Sequence, residues 1–278
     1  MPQRALPPWR PATGADLSVI VPTLNEAVCL PKLLESLRRQ TQPPLEIIVA
    51  DAGSTDRTVV LAEAAGARVV VGGLPAVGRN AGAAAARGSY LLFLDADVVL
   101  PPTFIAQILE TFDRDYLEIA TTGLVPDSTL RIDHLAFAFQ QRAMELLGEL
   151  YPFTHGAVIL VTARLHRRLG GFRTTLRLGE DTDYGRRAKQ FARFGVIPGI
   201  AATMSVRRFT KEGRLTLLRK YLRHGLLQRL EAFGVRADVP YDFGQFDTVT
   251  DLSQLEELIE QFLRLFPEPK RPPQPEGE

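Results

Sequence analysis

A chain of 278 residues, 45% hydrophobic and 23% charged, is long enough to bury one large core or two small ones, which excludes the disordered and collagen-like classes. The single cysteine, Cys29, excludes an internal disulfide and a thiolate zinc cage, and the four scattered histidines lack zinc-ligand spacing, so any metal is expected on oxygen. The net charge of +1 hides a segregation: residues 1–163 carry 12 Lys+Arg against 17 Asp+Glu, residues 164–236 carry 18 against 5, and residues 237–278 carry 3 against 10. A basic middle of that size suits a nucleic acid, an anionic lipid surface or a phosphorylated substrate, and composition does not choose among them.

In chain order, residues 1–16 read as a flexible tail with no apolar core of signal-peptide length, and no later stretch reaches the ~20 apolar residues of a membrane span. A cytoplasmic protein is expected. Short apolar runs then alternate with helical patterns: a strand at Leu17–Val21, a helix at Leu30–Leu37, a strand at Leu45–Ala50, and a helix from about Ser54, its expected N-cap, to Ala65. A strand at Arg68–Val71, an alanine-rich helix near Asn80–Arg87 and a strand at Tyr90–Leu94 follow. Strand-helix alternation with continuous apolar strands predicts an α/β fold with a mainly parallel sheet buried on both faces. Beyond Pro101-Pro102 come a helix, a strand within Leu117–Val125, a helical pattern over Ile132–Leu150 and a break at Gly170-Gly171. The acidic cluster Gly179–Asp183 then opens a basic helix, and Leu215–Phe233 and Leu252–Phe266 read as further helices. The expected organisation is one domain over 17–206, a basic helical extension over 207–266 and a disordered tail over 267–278.

In open α/β sheets ligands bind beyond the carboxyl ends of the strands, and three predicted strands end in polar residues. Pro22, Thr23 and Glu26 follow the first, Asp51 the second, and Asp95-Ala96-Asp97 the third. The first turn lacks the glycine pattern of a dinucleotide cofactor site. Asp95 and Asp97, two apart, share a face of an extended chain, and a hard divalent ion would relieve their repulsion while completing its shell with substrate phosphates. A solvated acidic turn explains an isolated Asp-x-Asp equally well.

The ordered set Leu17-Ser-Val-Ile-Val-Pro-Thr-Leu-Asn-Glu26, Ile48-Val-Ala-Asp-Ala-Gly-Ser-Thr-Asp56, Gly78-Arg-Asn-Ala-Gly82, Leu92-Phe-Leu-Asp-Ala-Asp97, and Gly170-Gly-Phe172 followed by Gly179-Glu-Asp181 resembles the bacterial family 2 glycosyltransferases over about residues 17–205. That resemblance implies a Rossmann-like A-type glycosyltransferase domain (GT-A) that moves a sugar from a nucleoside diphosphate sugar to a hydroxyl acceptor, as in the building of cell-envelope polysaccharide. It implies a base-and-ribose pocket at Pro22, Thr23, Glu26 and Asp51. Arg79 would reach the nucleotide, Asp95 the ribose, and Asp97 would hold Mn²⁺ or Mg²⁺, with Ala96 between them. Asp181 would be the general base of an inverting, non-processive transfer, with Glu180 orienting the acceptor or serving as an alternate base. Arg207 and Arg208 would lie beneath the diphosphate, and His155 and Gly156 would face the acceptor. This chain has Ala52 where many relatives carry a second aspartate.

Other roles stay open on the residues alone: Asp51 as the cap of the Ser54 turn, Arg79 as a surface ion pair, His155 as a structural histidine, and Glu180-Asp181 as a helix start. A retaining transferase shares the motifs. Leu91–Val99 also fits the aspartate-nucleophile phosphatases of the haloacid-dehalogenase type, which leaves Pro22–Glu26 and Asp51–Asp56 unexplained, and a non-catalytic nucleotide-binding module is a third reading. No stacking aromatics accompany the basic segment, which argues against nucleic acid. The amphipathic, cationic stretch 207–236 suits core packing, a homodimer contact, or peripheral docking on the inner face of the membrane, where a lipid-linked acceptor would be reached; a small-molecule acceptor is the alternative.

Overall fold

The computed structural model describes residues 12–147, 154–176 and 179–207. Backbone contacts divide the chain into two units, Met1–Val125 with Gln140–Met204, and Pro126–Phe139 with Ser205–Glu278. The expected helices at Leu215–Phe233 and Leu252–Phe266 lie outside the described residues, as does Arg208.

The elements run β1 (Leu17–Thr23), α1 (Leu30–Arg38), β2 (Glu46–Asp51), α2 (Thr58–Ala64), β3 (Arg68–Val71), α3 (Pro75–Ala85), β4 (Tyr90–Leu94), β5 (Val98–Val99), α4 (Phe104–Arg114), β6 (Ile119–Asp127), α5 (Arg131–Leu147), β7 (Val158–Thr162), α6 (Ala163–Leu169), α7 (Glu180–Lys189) and β8 (Phe194–Ser205). The eight strands form one sheet in the order β3-β2-β1-β4-β7-β6-β8-β5. β3, β2, β1 and β4 pair in parallel, the buried α/β half that the apolar runs announce. β7 enters antiparallel between β4 and β6, and β5 pairs antiparallel with β8, so the completed sheet is mixed. Leu17, Val19, Ile20 and Val21 are buried on both faces of β1, and Leu91, Leu92, Phe93 and Leu94 do the same on β4.

The first unit's helices pack where the sequence makes room. In α3, which starts on Pro75 rather than near Asn80, a Cβ added to Gly82 would fall 2.3 Å from Ile20 Cγ2 of β1. Glycine is therefore what brings α3 against the sheet. α2 starts at Thr58, four residues after the expected cap, because Ser54 is committed to Asp51 and the Asp56 carboxylate accepts the Thr58 N–H at 2.9 Å. Gly14–Asp16 form a single 3₁₀ turn with Gly14 buried, and the Ala12 N–H donates to Asp113 at 2.5 Å, so packed structure reaches back before residue 17. α6 ends at Gly170 and Gly171, both with φ near +70°, which places the chain to enter α7 through Gly179. In the second unit, the Ser128 hydroxyl donates to the buried Asp133 carboxylate at 2.6 Å at the start of α5.

Candidate functional site

The carboxyl ends of β1 and β2 carry two loops that are bonded together. Asn25 adopts a left-handed conformation (φ 55°), as asparagine tolerates, and its Oδ1 accepts the Thr55 N–H at 2.9 Å. The N–H groups of Asn25, Glu26 and Ala27 donate in turn to Ser54 Oγ, Thr58 Oγ1 and Asp56 Oδ2, at 2.8, 2.8 and 3.1 Å. Asp51 stands beneath. Its Oδ1 accepts the hydroxyls of Thr23 and Ser54 at 3.0 and 2.6 Å, and its Oδ2 accepts the N–H groups of Gly53 and Ser54 at 3.0 and 2.8 Å. Burial works against its charge, and these four bonds outweigh burial, holding its pKa below the ordinary value. A carboxylate has about four lone-pair positions, and Thr23 at the end of β1 together with the Gly53-Ser54 turn donates four bonds to them. Asp51 thus makes the contacts of a cap on the Ser54 turn. Pro22 is half-buried against α3, where a Cβ on Gly78 would lie 3.2 Å from its ring, and Glu26 is half-buried above.

Arg79 projects from α3 and is 3% exposed, so the surface ion pair is excluded. Its Nη1 donates to Glu180 Oε1 at 2.8 Å; its Nη2 donates to Asp95 Oδ1 at 2.9 Å and to the Gly156 carbonyl at 3.2 Å. Its guanidinium also lies over the Phe172 ring, 5.5 Å from the centroid. Burial opposes the charge, and Asp95, Glu180 and Asp181 more than restore it, so the pKa stands above the ordinary arginine value. Gly156 is needed for this approach, since a Cβ there would sit 2.5 Å from Nη2.

Glu180 and Asp181 form the first turn of α7. Burial is the main cause raising both carboxyls above their ordinary pKa; Asp181 adds to the effect on Glu180, Asp95 adds to that on Asp181, and Arg79 opposes each. Asp181 accepts the Thr182 N–H at 2.7 Å, and the Thr154 hydroxyl donates to its carbonyl. Asp95 directly follows β4, with its N–H on the Ala157 carbonyl at 3.2 Å. The chain then turns at the buried Ala96 and half-buried Asp97 instead of running extended as expected. Among the described residues no three His, Cys, Asp or Glu side chains are grouped as a metal cage. An all-oxygen set of one or two carboxylates nevertheless fits a hard divalent ion that takes the rest of its shell from a diphosphate.

His155 is buried, and Nε2 lies 2.8 Å from the Thr122 carbonyl. Burial lowers its pKa, so the ring is neutral. Arg207 follows β8 in the second unit, half-buried, with its N–H on Ser205 Oγ at 3.3 Å.

Several residues that sequence reasoning left without a role hold these groups in place. Asn80 clamps the backbone of Phe172, its amide accepting the Phe172 N–H and donating to the Phe172 carbonyl, both at 2.8 Å. Arg187 binds the carbonyls of Leu169 and Gly171 at 2.9 and 2.8 Å and Asp183 at 2.7 Å. Phe172 stacks on Tyr184 with centroids 4.0 Å apart, and Tyr184 Oη meets His166 Nδ1 at 2.8 Å. Burial, with Arg167 and Arg187 nearby, pushes the His166 pKa down to about 4. The signal was present: Asn80 and Phe172 sit inside the quoted motifs, next to Arg79 and Gly171.

The model of the glycosyl transferase family 2 matches residues 18–170, more than half of the chain. The uncharacterized glycosyltransferase EpsJ of Bacillus subtilis (strain 168) is 33% identical over 123 residues, covering 41% of this chain and 36% of that protein. The chain spans about a third of the length of the first curated relatives it matches. Among solved structures, the mannosyltransferase PcManGT of Pyrobaculum calidifontis, in complex with GDP-Man and Mn²⁺, is similar with a TM-score of 0.60 at 20% identity, over 94% of this chain and 74% of that one. TarS residues 1–349 of S. aureus, in complex with UDP, is similar with a TM-score of 0.58 at 22% identity, over 69% and 60%. These likenesses establish the GT-A fold. The chain belongs to glycosyl transferase family 2.

Proposed function

We propose that this chain transfers a sugar from a nucleoside diphosphate sugar to a hydroxyl acceptor with inversion at the anomeric carbon, Asp181 acting as general base. The observation that carries the reading is the bridge made by Arg79, which bonds Asp95 at the end of β4 and Glu180 beside Asp181. One buried cation thus joins the strand end assigned to the donor with the carboxylates assigned to the acceptor. A carboxyl raised by burial is a better proton acceptor near neutral pH than an exposed one. Asp181 takes the proton of the attacking hydroxyl as the new glycosidic bond forms and the bond to the diphosphate breaks. Glu180 orients the acceptor, and Arg79 stabilises the charge growing on the departing diphosphate. A divalent ion held by Asp97 supplies further neutralisation of that charge when bound. The PcManGT complex with GDP-Man and Mn²⁺ supports donor class and metal. Thr23, Pro22 and Glu26 line the nucleoside side, with Asp51 supporting their loop.

A thermal-shift screen of UDP, GDP and their sugars, with and without Mn²⁺, tests this. Stabilisation should appear for one base and grow with the metal, since a ligand bound only by the folded state raises the melting temperature by mass action. If no nucleoside diphosphate at millimolar concentration stabilises the protein with Mn²⁺ present, the reading fails.

A further inference from the structure

Among the described residues, two buried side-chain polar atoms have no hydrogen-bond partner, and both belong to the site: Nε of Arg79 and Nδ1 of His155. For His155 the missing partner has a defined chemistry. A carbonyl oxygen only accepts, so the 2.8 Å contact with Thr122 places the imidazole proton on Nε2. Thr121 Oγ1, 3.3 Å from Nε2, sends its own proton to the Val158 carbonyl at 2.8 Å and is free to accept from the ring. Nδ1 is left as a bare lone pair in the interior, where the large majority of polar atoms are paired. It calls for a donor. A phosphate or carboxylate oxygen, which has no proton to give, would be repelled there; a hydroxyl matches.

We propose that His155 Nδ1 accepts a hydrogen bond from a hydroxyl of the sugar being transferred, which makes His155 a specificity-determining residue of the donor site. The inference rests on the transferase reading above. The next residue, Gly156, gives its carbonyl to Arg79, so the imidazole is anchored beside the groups that flank the reacting centre. Arg79 Nη2 joins the Gly156 carbonyl to Asp95 Oδ1, and the Asp95 N–H donates to the Ala157 carbonyl at 3.2 Å, so the segment that carries His155 is tied to the donor strand end, which favours the donor sugar over the acceptor as the source of the hydroxyl. The orphan Nε–H of Arg79 asks for the opposite partner, an acceptor oxygen, which a diphosphate or a sugar also offers.

Two substitutions separate recognition from folding. A glutamine amide nitrogen reaches the place of Nε2, so His155→Gln keeps the bond to Thr122 and removes the Nδ1 acceptor. An asparagine amide oxygen takes the place of Nδ1, so His155→Asn keeps the acceptor and strands the Thr122 carbonyl. Calorimetric titration with Mn²⁺ would compare UDP with UDP-glucose and UDP-GlcNAc, and GDP with GDP-mannose. The expected result is a His155→Gln protein that melts near the native temperature, binds the nucleoside diphosphate as the native protein does, and binds the nucleotide sugar about tenfold more weakly. His155→Asn should melt lower and keep the native affinity for the sugar at a temperature below its transition. If His155→Gln retains the full sugar increment, or if the native protein gains nothing from any attached sugar, the orphan is met by water or by the acceptor and the proposal is overturned. Failure of the native protein to bind any nucleoside diphosphate would instead sink the transferase reading itself.

Discussion

Replacing Arg79 with methionine keeps the aliphatic stem and removes the guanidinium that Asp95, Glu180 and Asp181 share. Arg79 is 3% exposed and bonds Glu180 and Asp95 at 2.8 and 2.9 Å, so its loss leaves partly buried carboxylates uncompensated. Breaking a buried pair from one side costs about 3–5 kcal/mol. At about 2–4 °C per kcal/mol for a domain of this size, the melting temperature should fall by about 6–20 °C at pH 8. The loss has a direction in pH. Glu180 and Asp181 already have raised pKa values in the folded protein. Such groups contribute stability that is fully present below the ordinary carboxylate pKa and is lost as pH rises through the folded value. Without Arg79 both values rise further, so the variant loses more on the alkaline side than the native protein does. Melting curves of both proteins at pH 5, 6.5 and 8 should show the gap narrowing toward pH 5, where the pair takes up protons. A gap that is flat with pH, or widest at pH 5, would refute the argument that the guanidinium serves as counter-charge to the pair.

Asp181→Asn should leave nucleotide binding intact and lower turnover by ~10²–10⁴-fold, the usual cost of removing a general base, as measured by product release at saturating donor. Gly82→Ala drives a methyl into Ile20 of β1 and should destabilise by about 1–3 kcal/mol, read as a lower urea midpoint. Asp51→Asn removes a carboxylate whose pKa is depressed in the fold; the stability it contributes is present above the ordinary value and lost as pH falls through the folded one, so the native-to-variant gap should be widest near neutrality and close on acidification.

The parallel half of the sheet was legible because Leu17–Val21, Leu45–Ala50 and Tyr90–Leu94 are apolar on both faces, a pattern that only a covered strand tolerates. β8 was not, because Gly195, Pro198 and Gly199 interrupt its pattern and its burial is partial along its length. The ordered motifs located Arg79, Asp95 and Glu180, which the fold brings into contact. Their spacing said nothing of how deeply Arg79 is buried, since an alanine- and glycine-rich helix gives no sign of which face lies inward. The expected extended Asp95–Asp97 segment failed for a local reason: the chain turns at Ala96–Asp97 before β5 begins. Asp51 was placed correctly at the end of β2, and the bonds it takes from Thr23, Gly53 and Ser54 could not be read from the motif.

The three partners of the Arg79 guanidinium lie 16, 77 and 101 residues further along the chain. During synthesis the arginine therefore emerges long before the last of them, and a nascent chain ending short of α7 has no complete set of contacts at this centre. If the chain binds its donor as proposed, a molecule truncated before α7 would lack this counter-charge at the site, and weaker retention on an immobilised nucleoside diphosphate would report its loss.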